Sequence, residues 1–109
     1  MPTPRLSKTR IKQRSEYLKQ RRYYLWAHPQ CEAHPLVFPG EKPLRAVEIH
    51  HTRGTIGSLL CEEQYWRAIC RQCHSFCHTF IKRARDLGLI APVGEWNTTA
   101  KTKHRVKSL

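Results

Sequence analysis

The sequence predicts a small α+β domain, and three observations carry that reading. A basic stretch near the N terminus spaces its apolar residues as a helix does. Two short segments, 46–50 and 66–69, have strand character, and a helical stretch from about Arg71 to Leu87 opens on a Cys-x-x-Cys. With 109 residues the chain is one domain's worth and can bury a single modest core.

The first element is a helix over Lys8 to Ala27. Ile11, Leu18 and Leu25 recur at seven-residue spacing with Tyr17 and Tyr24 beside them, Ser7 is placed to cap, and Pro29 stops the run. Through Arg22 the cations Arg5, Lys8, Arg10, Lys12, Arg14, Lys19, Arg21 and Arg22 face only Glu16. An ordinary solvated helix mixes its signs, so this imbalance favours a helix laid along a phosphate backbone. Lys8, Arg10, Lys12, Arg14, Lys19, Arg21 and Arg22 are therefore expected to bind nucleic acid.

His34 to Pro43 contains three prolines and Gly40 and reads as a loop. Ala46-Val47-Glu48-Ile49-His50 alternates apolar and polar residues like a half-buried strand. Thr52 to Ser58, with Gly54 and Gly57, reads as a flexible loop, and Trp66 to Ile69 as a second strand. In the helix that follows, Phe76, Phe80, Ile81, Ala84 and Leu87 form the expected buried stripe, and Gly88 sits where a left-handed cap belongs. The remainder looks loop-like and ends in a basic tail with Lys101, Lys103, Arg105 and Lys107. The chain thus divides into a basic helix (1–28), a central domain (29–97) and a flexible tail (98–109), with no internal repeat.

The formal net charge of +12 calls for a polyanionic partner, nucleic acid before an anionic membrane surface. No apolar run is long enough to span a bilayer and no signal-like segment opens the chain, so the expected location is cytoplasmic, or nuclear in a cell with a nucleus. In that reducing setting five cysteines are expected to be ligands or packed thiols, and the odd count suits a disulfide framework poorly. Seven histidines in so short a chain point to metal chemistry.

Two ligand clusters emerge. Cys31-x-x-His34 answers Cys70-x-x-Cys73, and two such turns supply the four tetrahedral ligands of a closed structural zinc site. A core this small gains much from such a staple. The fourth place goes to His34, with Cys61 next and Cys77 also open. Otherwise Cys61 and Cys77 read as small buried hydrophobes. The second cluster is His50, His51, His74 and His78. His74 and His78 are four apart and share a helix face, whereas His50 and His51 are adjacent on a strand and point in opposite directions. One of that pair can bind an ion while the other, beside it, acts as a general base.

Glu48-Ile49-His50-His51, a glycine-bearing loop, then Ile69-Cys70-Arg71-Gln72-Cys73-His74 and His78 resemble the HNH endonucleases, most nearly the small stand-alone HNH proteins of bacteriophages. The likeness runs from the basic helix through Gly94-Glu95-Trp96-Asn97. It implies a ββα-metal (His-Me finger) fold, in which a hairpin and a helix grip one divalent cation. By resemblance His50, His74 and His78 take the metal-ligand places and His51 the general base. Arg53, just past the base, is either a phosphate contact or a loop charge. Many relatives carry an asparagine five residues before the first cysteine, where it pins the loop holding the base. Here that position is Tyr65, so something else, such as a backbone carbonyl, must orient His51.

The activity so implied is hydrolysis of DNA phosphodiester bonds with a single catalytic metal beside one structural zinc. Imidazole ligands favour zinc, nickel, cobalt or manganese over magnesium. Phage relatives often work near packaging machinery, so terminase proteins are implied partners. One competing reading is a non-catalytic zinc module that only binds DNA, which leaves His50, His51, His74 and His78 without a role. Another is a small structural protein coating RNA or an assembly surface, which predicts salt-dependent binding and no nicking.

Overall fold

The computed structural model describes residues 7–98. The expected basic tail from residue 99 onward, and Arg5, lie outside them.

Helix α1 spans Lys8–Ala27, as the spacing predicts, and Ser7 caps it by accepting from the Arg10 amide at 3.1 Å. His28 closes it, its N–H donating to the Tyr24 carbonyl, and Pro29 follows. Only part of the expected apolar face is buried: Tyr24 enters the core, and Tyr17 and Leu25 pack against it. Ile11 and Leu18 are 55% and 61% exposed. The residues that meet the domain are Gln13, Tyr17, Gln20 and Tyr24, of which Tyr24 is buried. That row sits about 140° around the helix from Ile11 and Leu18. Tyrosine and glutamine were favoured there because the surface beneath offers carbonyls as well as rings. Gln20 donates to the Cys61 carbonyl at 3.2 Å, and Tyr17 and Tyr24 pack edge-on to Trp66.

A second correction concerns 34–43: the chain forms a short helix α2, His34–Val37, before it turns. Pro35 is compatible because a first-turn residue has no intrahelical N–H bond to lose. The two strands are β1, Glu48–His51, and β2, Trp66–Ile69, paired antiparallel with Glu48 opposite Ile69 and His51 opposite Trp66. β1 therefore begins and ends later than the alternation suggests. Ala46 and Val47 still donate to the Pro29 and Ile69 carbonyls.

The connection between the strands opens on irregular chain, as expected, but its first three residues are packed inward. Thr52, Arg53 and Gly54 are buried, and two 3-10 turns, Gly57–Cys61 and Glu63–Tyr65, complete it. The segment is clamped by the chain's C-terminal part: Ala91 N–H donates to the Thr52 carbonyl and Asn97 N–H to that of Arg53. Gly54 is required here, since its φ is +98° and a Cβ would lie 2.1 Å from Asn97 Oδ1.

After β2 the expected single helix is two: α3, Arg71–Thr79, and α4, Ile81–Asp86, separated at Phe80 (φ −112°, ψ 65°). The break changes which residues are buried. Cys73, Cys77 and Ala84 are buried and Phe76 and Leu87 half-buried, while Phe80 and Ile81 are turned outward. Gly88 does adopt the left-handed conformation (φ 79°) after α4.

The result is a small α+β fold with two core clusters. One joins Cys31, Ala33, Ile69, Cys70, Cys73, Cys77, Ala84 and Leu89; the other joins Tyr24, Ala46, Ile49, Trp66 and Ala68. Glu32 links the α1 side to the sheet, accepting from Ala68 N–H at 2.7 Å and Tyr24 O–H at 2.9 Å. Glu32→Ala leaves both donors without this acceptor, and urea unfolding should show a loss of about 1–3 kcal/mol. Glu32→Gln, which retains an acceptor oxygen, should keep most of that stability; equal losses would show that the paired donors are not what Glu32 satisfies.

Candidate metal centres

The first centre joins the start of α2 to the β2–α3 junction. Cys31 is fixed by its N–H to the Leu44 carbonyl (2.8 Å), and Cys70 is the N-cap of α3, its Sγ accepting from Cys73 N–H at 3.4 Å. His34 Nδ1 lies 3.6 Å from Cys73 Sγ and 4.0 Å from Cys70 Sγ. Cys31, His34, Cys70 and Cys73 are all buried, and one donor atom from each lies within 4.8 Å of the others. A tetrahedral zinc ion with Zn–S bonds of ~2.3 Å separates its donors by about 3.5–4 Å, so the set needs only a small contraction. All five cysteines are free thiols.

The electrostatics fit a cation. Burial pushes the Cys73 thiol well above its usual range, and the neighbouring Cys70 and Cys31 push it further. Burial also works against the Cys70 thiolate, but hydrogen bonds from Cys73 N–H and His34 outweigh it and bring that thiol down. Packed thiols that oppose one another's ionisation are relieved by a divalent ion at their centre.

This places His34, not Cys61, in the fourth position. Cys61 lies beside α1, with its thiol donating to the Gln13 carbonyl at 3.3 Å. Cys77 is a packed thiol in the adjoining core, raised to about 11 by burial. His34 Nε2 has no hydrogen-bond partner; the nearest carboxylate, Glu41, is 3.7 Å away.

The second cluster brings together His50, His74 and His78. Ring centroids are 5.3 Å apart for His50–His74, 6.5 Å for His50–His78 and 4.8 Å for His74–His78. It is a looser set than the first. Among the described residues only the Cys31–His34–Cys70–Cys73 group brings three or more donors within 4.8 Å. His50 is buried, and its Nε2–H donates to the Leu89 carbonyl, which leaves Nδ1 as its lone-pair nitrogen. Burial lowers its pKa to about 4, with the Leu89 carbonyl opposing and the neighbouring histidines reinforcing, so the ring is neutral at pH 7. His78 is exposed at the rim.

His51 points to the other side of the hairpin. Its Nε2–H donates to the Leu60 carbonyl at 3.1 Å, and its ring packs against Tyr17 (5.4 Å) and Trp66 (5.7 Å). Burial also lowers its pKa, against the pull of the Leu60 carbonyl. The Leu60 carbonyl fixes the ring, and the Tyr65 carbonyl accepts both Thr52 N–H (2.9 Å) and Thr52 Oγ1–H (2.8 Å), holding the loop.

Arg53 is neither a free phosphate contact nor an exposed loop charge. Its guanidinium is buried, donates to the Thr98 carbonyl and Oγ1 (2.7 Å each), approaches Glu95 and lies 5.2 Å over the Tyr65 ring. Of the helix cations, Lys8, Lys12, Arg14, Lys19 and Arg22 are exposed. Arg10 and Arg21 instead brace α1 through the Thr55 (3.0 Å) and Val47 (3.1 Å) carbonyls.

Two residues near these centres escaped the sequence reading. Glu48 Oε1 lies 3.4 Å from His74 Nδ1. The signal was present, because Glu48 is two residues from His50 and so shares its face of β1. Tyr17, against His51, had no local signal, since only the docking of α1 brings it there.

Comparison with protein-family models, with curated proteins and with solved structures gives no significant match. Metal content offers a direct check. The purified protein should hold one tightly bound zinc per chain. Cys73→Ser should release it and lose cooperative thermal unfolding, because structural zinc contributes on the order of 10 kcal/mol in small domains. Cys61→Ser should retain zinc and fold; a Cys73→Ser protein that keeps both would remove Cys73 from the centre.

Proposed function

We propose that the chain is a metal-dependent endonuclease of the HNH type, hydrolysing DNA phosphodiester bonds in a ββα-metal arrangement of β1, β2 and α3. The observation that carries this reading is the convergence of His50, His74 and His78 next to a separately oriented His51. A structural centre alone needs none of these histidines. Their arrangement across a hairpin and the following helix is what a cation-binding hydrolytic site requires.

In this reading His50 Nδ1, His74 and His78 hold the catalytic cation. A divalent ion held by these residues would supply Lewis-acid stabilisation of the negative charge that develops in phosphodiester hydrolysis. His51 then has one task, accepting a proton from the attacking water at Nδ1. The Leu60 carbonyl commits Nε2–H and so selects that tautomer. Burial keeps His51 neutral near pH 7, the form a base must have. Glu48 orients His74, as carboxylates do for liganding histidines. The exposed cations of α1 hold the phosphate backbone, in keeping with the charge of +12. A donor set of imidazoles favours zinc, nickel, cobalt or manganese over magnesium.

Supercoiled plasmid incubated with the protein and each of these metals should be nicked or linearised. His51→Ala should slow that reaction by about 10²–10⁴-fold, the usual contribution of a general base, with folding and metal content unchanged. A His51→Ala protein that cuts as fast as its parent would exclude His51 as the base, and a parent that binds DNA but cuts it with none of these metals would replace the nuclease reading with a binding module.

A further inference from the structure

The exposed face of α1 carries more than charge. Lys8, Lys12, Lys19, Arg22 and Trp26 fall at i, i+4, i+11, i+14 and i+18, which at about 100° per residue confines them to one stripe. The stripe is ~27 Å long at 1.5 Å per residue. It ends on Trp26, which is 75% exposed and touches Tyr23, itself exposed, at 5.7 Å between ring centroids. Beside it a groove of about 710 Å³ runs between the C-terminal half of α1 and residues 45–47. Arg21, Arg22 and Arg45 line it together with Leu18, Leu25 and Trp26, and no acidic side chain does. The groove leads toward the hairpin: Val47 precedes β1, so its floor lies about 13 Å of extended chain from His51.

We propose that this groove binds an unpaired DNA strand, with Trp26 as the platform on which a base stacks. The proposal deepens the nuclease reading by naming the form of its DNA, and rests on that reading only for the choice of DNA. Cations alone would suit any phosphate backbone. A large exposed indole among arginines, in an apolar-walled groove, has no use on a closed duplex, where base faces are already stacked. An unpaired strand offers both a base face and a phosphate backbone to this combination. A protein partner suited to the same groove would have to bring carboxylates against three arginines, and its docking is an outcome of the test below.

The experiment is fluorescence anisotropy of the full chain with labelled oligothymidine, the matching duplex and oligouridine, without added divalent metal so that nothing is cut. Trp26→Ala should weaken oligothymidine binding roughly 5- to 100-fold, the range seen when a stacking aromatic is removed, and affect the duplex far less. Arg45→Ala should weaken it as well and flatten the salt dependence, while Arg83→Ala, on exposed α4, should not. Trp26 and Arg45 are exposed, so retained zinc and an unchanged melting temperature identify folded variants. Undiminished oligothymidine binding by Trp26→Ala, or equal losses on single strand and duplex, would overturn the proposal. So would tighter binding of oligouridine, or a dimer in sedimentation that Trp26→Ala dissociates. Trp26-dependent binding without plasmid cleavage would instead sink the nuclease reading and leave this one standing.

Discussion

Everything in this fold hangs on bringing Cys31 and His34 against Cys70 and Cys73. Three of these four side chains belong to the larger core cluster, so the ligand group is itself a core and not an appendage to one. A domain this small has little other apolar mass to spend on holding α2, β2 and α3 together. Cys70 is the hinge of the arrangement: it ends β2, caps α3 and faces His34 at once. Fixing it sets the direction in which α3 leaves the sheet, and that direction carries His74 and His78 over β1.

The hairpin then acts as a divider. Strand periodicity sends His50 toward α3 and His51 toward α1, so two adjacent imidazoles reach different environments. Each is locked by a backbone carbonyl from outside the hairpin strands, Leu89 for His50 and Leu60, in a 3-10 turn, for His51. A carbonyl can only accept, so the geometry also decides which nitrogen of each ring keeps its lone pair. The segments supplying those carbonyls are held by the contacts among Thr52, Arg53, Tyr65, Ala91 and Asn97. That is why Thr52, Arg53 and Gly54 are buried within a stretch that has the composition of a loop.

Much of this was legible in the residues. The bounds of α1, its Ser7 cap, the second strand and the left-handed Gly88 follow from local rules of spacing and capping. The fourth member of the Cys/His group was narrowed to few candidates by pair spacing, though only the three-dimensional path separated His34 from Cys61. Tertiary choices defeated the rest. On α1 the tyrosines and Leu25 pack inward as their spacing suggests, but Ile11 and Leu18 stay exposed because the surface beneath α1 meets Tyr17, Gln20 and Tyr24 instead. The break at Phe80 leaves no proline or glycine to announce it. Arg53 looked available because its partners, Glu95 and Thr98, lie more than 40 residues away.

A closed Cys/His group sits in the core, and we propose that the more open histidine cluster beside it binds a separate ion. Anomalous scattering from crystals of the zinc-loaded protein soaked in manganese tests that separation most directly. A zinc peak among Cys31, His34, Cys70 and Cys73, with a distinct manganese peak among His50, His74 and His78, is the expected result. A single zinc peak, with no metal at the three histidines at any manganese concentration, would contradict it.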